Sequence, residues 1–191
     1  QEAMPAGQGA MAAVIFAGLD VDRLKNAIKG LQVDVANINS ADQAVISGLA
    51  EKMDEARARI EQAFKGGQGM RFVPLNVSAP FHSRFMEGIK DRFRQHLDAI
   101  SENLSPADAV RVTSNYTGGF HKLDRLPLID ALVSQLSGSV KWRENMTILS
   151  EQAKVIYEIG PNRPLRSFFR TIGVTCRSIT SYSAAEREFS A

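Results

Sequence analysis

The segment NVSAPFHSRFM, residues 76–86, places His82 between an extended apolar run and the start of a helix. An imidazole there could act as a general base, because histidine changes charge nearest to neutral pH. A base needs a group to activate. A serine nucleophile above a sheet requires a strained strand-to-helix elbow of the G-x-S-x-G kind, which exposes the hydroxyl beside backbone donors. The chain contains no such motif. Ser47 in VISGLA precedes Gly48 but has no glycine two residues before it, and it reads as a hairpin end. Cys176 lies in the β-branched stretch IGVTCRSI, where a lone cysteine reads as a small buried apolar residue. The histidines stand at 82, 96 and 121 with no carboxylate pair patterned around them, so no metal site is expected. The two GQG triplets, at 7–9 and 67–69, each precede a strand and read as turns, not phosphate cradles. Taken alone, a histidine at a helix start is more often a structural hydrogen-bonding residue than a catalyst.

Composition narrows the setting. The chain has 191 residues, with 23 basic against 21 acidic side chains, a net charge of +2. That length can bury a real core without disulfides or metals. The basic residues are spread along the chain, so neither a nucleic-acid track nor a membrane patch is expected. One cysteine permits no internal disulfide, and no apolar run is long enough to span a bilayer, which together favour a cytoplasmic setting. No signal peptide or anchor is read. The chain opens on Gln1, a residue too large to be uncovered by ordinary trimming of an initiator methionine, so residue 1 is not expected to be a native start.

The elements that must position His82 follow from periodicity. The apolar run 9–18 predicts a strand, and 20–30 a helix stopped by Gly30. VDVANINS and QAVISG, joined through Ser40, Ala41 and Asp42, predict a hairpin. Leu49, Met53, Ala56, Ile60 and Phe64 form the stripe of an amphipathic helix ended by the glycine cluster 66–69, and MRFVPLNVSA supplies a further strand. Residues 9–79 thus read β-α-β-β-α-β, a ferredoxin-like unit. Beyond Pro80 the reading is a helix from Ser83, a fair N-cap, carrying Phe85, Ile89, Phe93, Leu97 and Ile100; a strand over AVRVTSN; a helix from Pro127; and a helix over 142–153. A buried strand over KVIYEIG and a last helix from Pro164 complete it. Residues 80–191 are therefore α/β in character, with two or three parallel strands. A sheet that small leaves apolar edges uncovered, so the second half reads as part of a larger domain whose other strands lie elsewhere.

NVSAPFHSRFM resembles the catalytic-histidine segment of the malonyl-CoA:acyl carrier protein transacylase family. Other stretches agree in order. MPAGQGAMAAVI is similar to that family's lead into its small domain, VANINSADQAVISG to its N-x-N-S-P-x-Q-V-V-I-S-G hairpin, and VRVTSNYTG to V-V-S-N-V-T-G. LVSQLSGSVKWRENM is similar to L-x-x-Q-L-x-x-P-V-x-W, and VIYEIGPNRPLRSF to E-x-G-P-G-x-V-L. The departures are Ala41 before Asp42, Ser139 in place of a proline before Val140, and Asn162 in place of a glycine.

The resemblance implies an α/β fold in which a ferredoxin-like small subdomain, residues 9–79, is followed by residues 80–191, the C-terminal part of an α/β-hydrolase-like acyltransferase domain. It implies a serine nucleophile on an N-terminal segment upstream of Gln1, carrying G-H-S-x-G, as a partner of this chain. The implied activity moves a malonyl group from malonyl-CoA to the phosphopantetheine thiol of acyl carrier protein, with no bound cofactor or metal. His82 takes the base role by its match, and the backbone carbonyl of Gln135 would orient it. Phe81 occupies a position where a bulky ring excludes a methyl group from the acyl pocket; it could equally pack in the core. Asn37 and Asn39 match hairpin positions facing the cleft, although their side chains could serve the turn. Arg84 is read as a helix-start residue near the cleft mouth. The alternative function is a non-catalytic module that binds carrier protein or CoA.

Overall fold

A computed structural model describes residues 3–5, 7–64 and 69–190. The described residues up to Asn145 pack as one compact unit and those from Met146 as a second.

In the first unit, β1 (Gly9–Ile15), β2 (Val33–Ile38), β3 (Gln43–Leu49) and β4 (Arg71–Leu75) form an antiparallel sheet in the order β2-β3-β1-β4. Helices α1 (Val21–Ala27) and α2 (Met53–Ala63) follow β1 and β3. Successive side chains of a strand point to opposite faces. Ala12 and Val14 therefore join Leu24, Ile46 and Ile60 in the core beneath the helices, while Met11 and Ala13 face the other way with Ala36 and Val45. Burial on both faces explains why β1 reads as a continuous apolar run. Each fully buried side chain such as Leu24 or Ile60 contributes roughly 1.5–3 kcal/mol. Asp20 caps α1 by accepting from the backbone N–H groups of Asp22 and Arg23. The element order expected over residues 9–75 is the one observed. The glycine cluster expected to end α2 lies, except for Gly69, outside the described residues.

β2 is one of the two edge strands, yet its edge is closed at one point. Val140 N–H donates to Ala36 O at 2.7 Å and Ile38 N–H donates to Val140 O at 2.8 Å, a one-residue parallel bridge beside the bulge between Val35 and Asn37. A 3₁₀ helix (Arg84–Ile89) leads into α3 (Lys90–Ala99). After α4 (Pro106–Ala109), α5 (Arg125–Ser134) packs on α3 through Leu97, Ile129 and Val133.

The strand expected over AVRVTSN shrinks to β5 (Thr113–Ser114), paired in a tight hairpin with β6 (Gly119–Phe120). A β-branched run makes a strand only where another strand completes its ladder, and among the described residues β5 pairs with β6 alone. Ser83 does not cap a helix; its hydroxyl donates to Pro80 O instead.

The chain passes through α6 (Trp142–Gln152) into the second unit. There β7 (Ile156–Ile159) and β8 (Cys176–Ile179) pair in parallel around α7 (Pro164–Arg170). The expected strand over KVIYEIG is present, but Ile159 is 79% exposed. Glu158 is buried and satisfied by Leu165 N–H and the Ser178 hydroxyl. Asn162, where the resembling family has glycine, sits at φ 69°, a left-handed conformation that asparagine tolerates. The helix from Pro164 is not the last: α8 (Tyr182–Phe189) follows, capped by Ser181. No described helix is long and apolar enough to cross a membrane.

Candidate active site around His82 and Gln135

The corner carrying His82 is built on close packing. Pro80 is fully buried against the start of β1, where a Cβ on Gly9 would lie 2.3 Å from Pro80 Cδ, so this position requires glycine. Phe81 N–H donates to Ala79 O at 2.9 Å, and the fully buried Ser83 returns its hydroxyl to Pro80 O at 2.6 Å. Between these anchors His82 has φ 57°. Histidine visits this left-handed region more readily than most residues, but the conformation stores strain of order 1 kcal/mol. Strained backbone of this kind concentrates at functional sites.

Gln135 stands at the C-terminal end of α5, where helix carbonyls lack intrahelical donors. His82 Nδ1 lies 2.8 Å from Gln135 O. A carbonyl can only accept, so Nδ1 carries a proton, and in the neutral form of the ring Nε2 holds the lone pair. The Gln135 side-chain amide donates to Gly138 O at 3.1 Å and passes 3.2 Å from the same ring nitrogen. Nδ1 cannot both donate to the carbonyl and accept from the amide, and the shorter contact, to an oxygen that can only accept, sets the tautomer. Nε2, the nitrogen able to take a proton, has no hydrogen-bond partner among the described residues. Ser83 is committed to Pro80, and Ser137 donates to Glu87 at 2.5 Å, so neither hydroxyl serves it.

Phe81 is half-buried against the cluster of Met11, Ala13, Ala36 and Val45. Asn37 pairs in register with Val45 beside the Val140 bridge, and Asn39 closes the hairpin through its N–H to Gln43 O at 2.9 Å. Neither asparagine side chain is hydrogen-bonded among the described residues, and both are half-buried. His96 is exposed on α3, and burial lowers the pKa of His121. Burial also pushes the Cys176 thiol up, keeping it protonated. Among the described residues no group of three or more His, Cys, Asp or Glu side chains is placed to hold a metal ion.

Sequence reasoning missed what lies just beyond His82. Arg84 is engaged with Asp34 of β2, which accepts from Arg84 N–H at 2.9 Å, from Nε at 3.0 and 3.1 Å, and from a terminal guanidinium nitrogen at 2.5 Å. The carboxylate raises the Arg84 pKa further, chiefly through these hydrogen bonds. The available signal was Asp34 itself, an acid set in the apolar run VDVANI.

No protein-family model matches the chain. It is 32% identical over 184 residues to the malonyl CoA-acyl carrier protein transacylase of Bacillus subtilis, covering 93% of this chain and 55% of that protein. The chain spans about half the length of the curated relatives it matches. An acyl-carrier-protein S-malonyltransferase structure from Burkholderia pseudomallei superposes with a TM-score of 0.81 at 27% identity, covering 99% of this chain and 61% of the other. The holo PlMCAT:AntF complex, a type II PKS acyl-carrier protein with its malonyl-transacylase, gives 0.76 at 28% identity, covering 97% and 60%. By sequence over most of its length and by fold over nearly all of it, the chain is a homologue of the malonyl CoA-acyl carrier protein transacylases.

Proposed function

We propose that this chain supplies the histidine half of a malonyl-CoA:acyl carrier protein transacylase, with the nucleophilic serine on an N-terminal stretch of polypeptide. The observation that carries the reading is the 2.8 Å contact from His82 Nδ1 to the Gln135 carbonyl, which leaves Nε2 as an acceptor with no partner among the described residues. In the first half-reaction Nε2 takes the serine proton as the hydroxyl oxygen attacks the thioester carbonyl of malonyl-CoA. The C–S bond breaks, and CoA leaves as a thiol with the proton returned from His82. In the second half-reaction Nε2 takes the proton of the carrier protein's phosphopantetheine thiol. The sulfur attacks the malonyl ester and serine leaves protonated. The main-chain carbonyl takes the place of a third carboxylate, fixing the ring without a full negative charge. Phe81 beside the base would limit the acyl group to malonate by leaving no room for an α-methyl. Asn37 and Asn39 would contribute to the substrate cleft. Acyl carrier protein is the partner, as in the PlMCAT:AntF complex, and the setting is the cytoplasm.

The same reading assigns residues 9–79 to a ferredoxin-like subdomain, supported by the order β2-β3-β1-β4. It assigns residues 80–191 to the C-terminal part of an α/β-hydrolase-like domain. Support comes from the parallel pair β7-β8, since parallel strands are normally covered and flanked by further strands. Intact-mass measurement after exposure to malonyl-CoA tests the proposal. A malonyl adduct is expected only when the serine-bearing stretch is present, and a stable adduct on these 191 residues alone would overturn it. Absence of any adduct in the complete assembly would leave the carrier- or CoA-binding module as the better account.

A further inference from the structure

Three tethers converge on the His82–Gln135 contact, and two of them run to β2. Arg84, two residues after His82, is gripped by Asp34 through both its backbone N–H and its guanidinium. Val140, five residues after Gln135, is stitched to Ala36 and Ile38 by backbone hydrogen bonds. Asp34 and Ala36 sit two positions apart on the same strand. A single edge strand therefore acts as a ruler between the ring nitrogen and the carbonyl it meets. The third tether, Ser137 to Glu87, joins the two sides directly.

We infer that Asp34 is a positioning residue for His82, holding the left-handed corner so that Nδ1 meets the Gln135 carbonyl. An exposed ion pair is ordinarily worth little. This one differs in that the same carboxylate caps a main-chain N–H two residues from the strained position, which fixes backbone as well as side chain. Without it the corner is free to relax toward ordinary φ values and swing the ring. The inference rests on the reading of His82 as the general base only for its consequence in catalysis; the geometric claim stands on the hydrogen bonds.

The test is the imidazole tautomer, read by long-range ¹H–¹⁵N correlation on the full chain labelled with ¹⁵N-histidine. Its three histidines make His82 assignable by loss of its signals in His82→Ala. The wild type is expected to show His82 as the Nδ1–H form. Asp34→Ala is expected to mix in the Nε2–H form, and Asp34→Asn, which keeps an acceptor for Arg84 N–H, to lie nearer the wild type. Arg94→Ala, which removes a different ion pair with Asp130, is expected to change nothing. A folded Asp34→Ala variant with the wild-type tautomer overturns the inference. Should Asp34→Ala fail to fold, Arg84→Pro decides, because proline at the first position of the 3₁₀ helix removes both the main-chain N–H and the guanidinium without touching β2, and an unshifted tautomer there is equally fatal. In a transfer-competent assembly, Asp34→Ala is expected to lower kcat about 10- to 100-fold with KM for malonyl-CoA little changed. Failure of the wild type to transfer would count against the proposed function and leave the spectral result standing.

Discussion

His82 Nδ1 and the main-chain oxygen of Gln135 stand 2.8 Å apart although 53 residues separate them in sequence. The acceptor belongs to the backbone, so side-chain truncation leaves it in place. Gln135→Ala removes only the amide that bonds Gly138 O. Transfer by the complete enzyme is expected to fall by less than about 10-fold, the effect of one neutral hydrogen bond, and steady-state kinetics will read it.

Replacing the ring itself separates chemistry from backbone strain. His82→Ala and His82→Gly are both expected to abolish transfer. The glycine variant should be the more stable by about 1 kcal/mol, because φ 57° is open to glycine and strained for alanine. Urea denaturation of the two variants side by side checks the sign.

Phe81→Ala opens space beside the base, against Met11 and Val45. If the ring excludes an α-methyl, the ratio of kcat/KM for methylmalonyl-CoA to that for malonyl-CoA should rise about 10- to 200-fold. A ratio that stays put would assign Phe81 to packing alone.

Acid should loosen the site through Glu87. Its carboxyl is held below the usual carboxylate value of 4.5 by the hydrogen bonds from Ser137 and then Lys90. A depressed folded-state pKa means the stabilisation is complete above that ordinary value and is lost as pH falls through the lower folded one. Thermal melts from neutral to acid pH should therefore show a shallower acid limb for Glu87→Gln than for the wild type, the two slopes differing only below about pH 4.5 and the wild-type advantage held above it disappearing there.

Residues 9–75 were legible because their signals are local: β-branched residues in VDVANI and QAVISG, a 3-4 stripe through Met53, Ala56 and Ile60, and turn chemistry at Ser40 and Asp42. AVRVTSN was misread because β-branched composition reports suitability for a ladder and says nothing about whether a second strand is there. α8 was missed despite Ser181 ahead of Tyr182, Ala185 and Phe189, spaced three and four apart. At the site, His82 stood out by residue type, but its pairing with Gln135 came only with the family resemblance. Asp34 and Arg84 were invisible as a pair, since nothing local links residues 50 positions apart.

The stitch between Val140 and β2 bears on how such a sequence can vary. With Gln135 fixed at a helix end and Val140 fixed on a strand, the four residues 136–139 form an arc of set length. The serine at 139 in place of proline shows one side chain there exchanged, while Gly138 admits none, since a Cβ would lie 2.6 Å from the Tyr116 ring, and Ser137 is held by its bond to Glu87. An insertion or deletion there would drag the carbonyl off the imidazole, so drift through this stretch is confined to replacement, and loop grafts at this point must match it residue for residue.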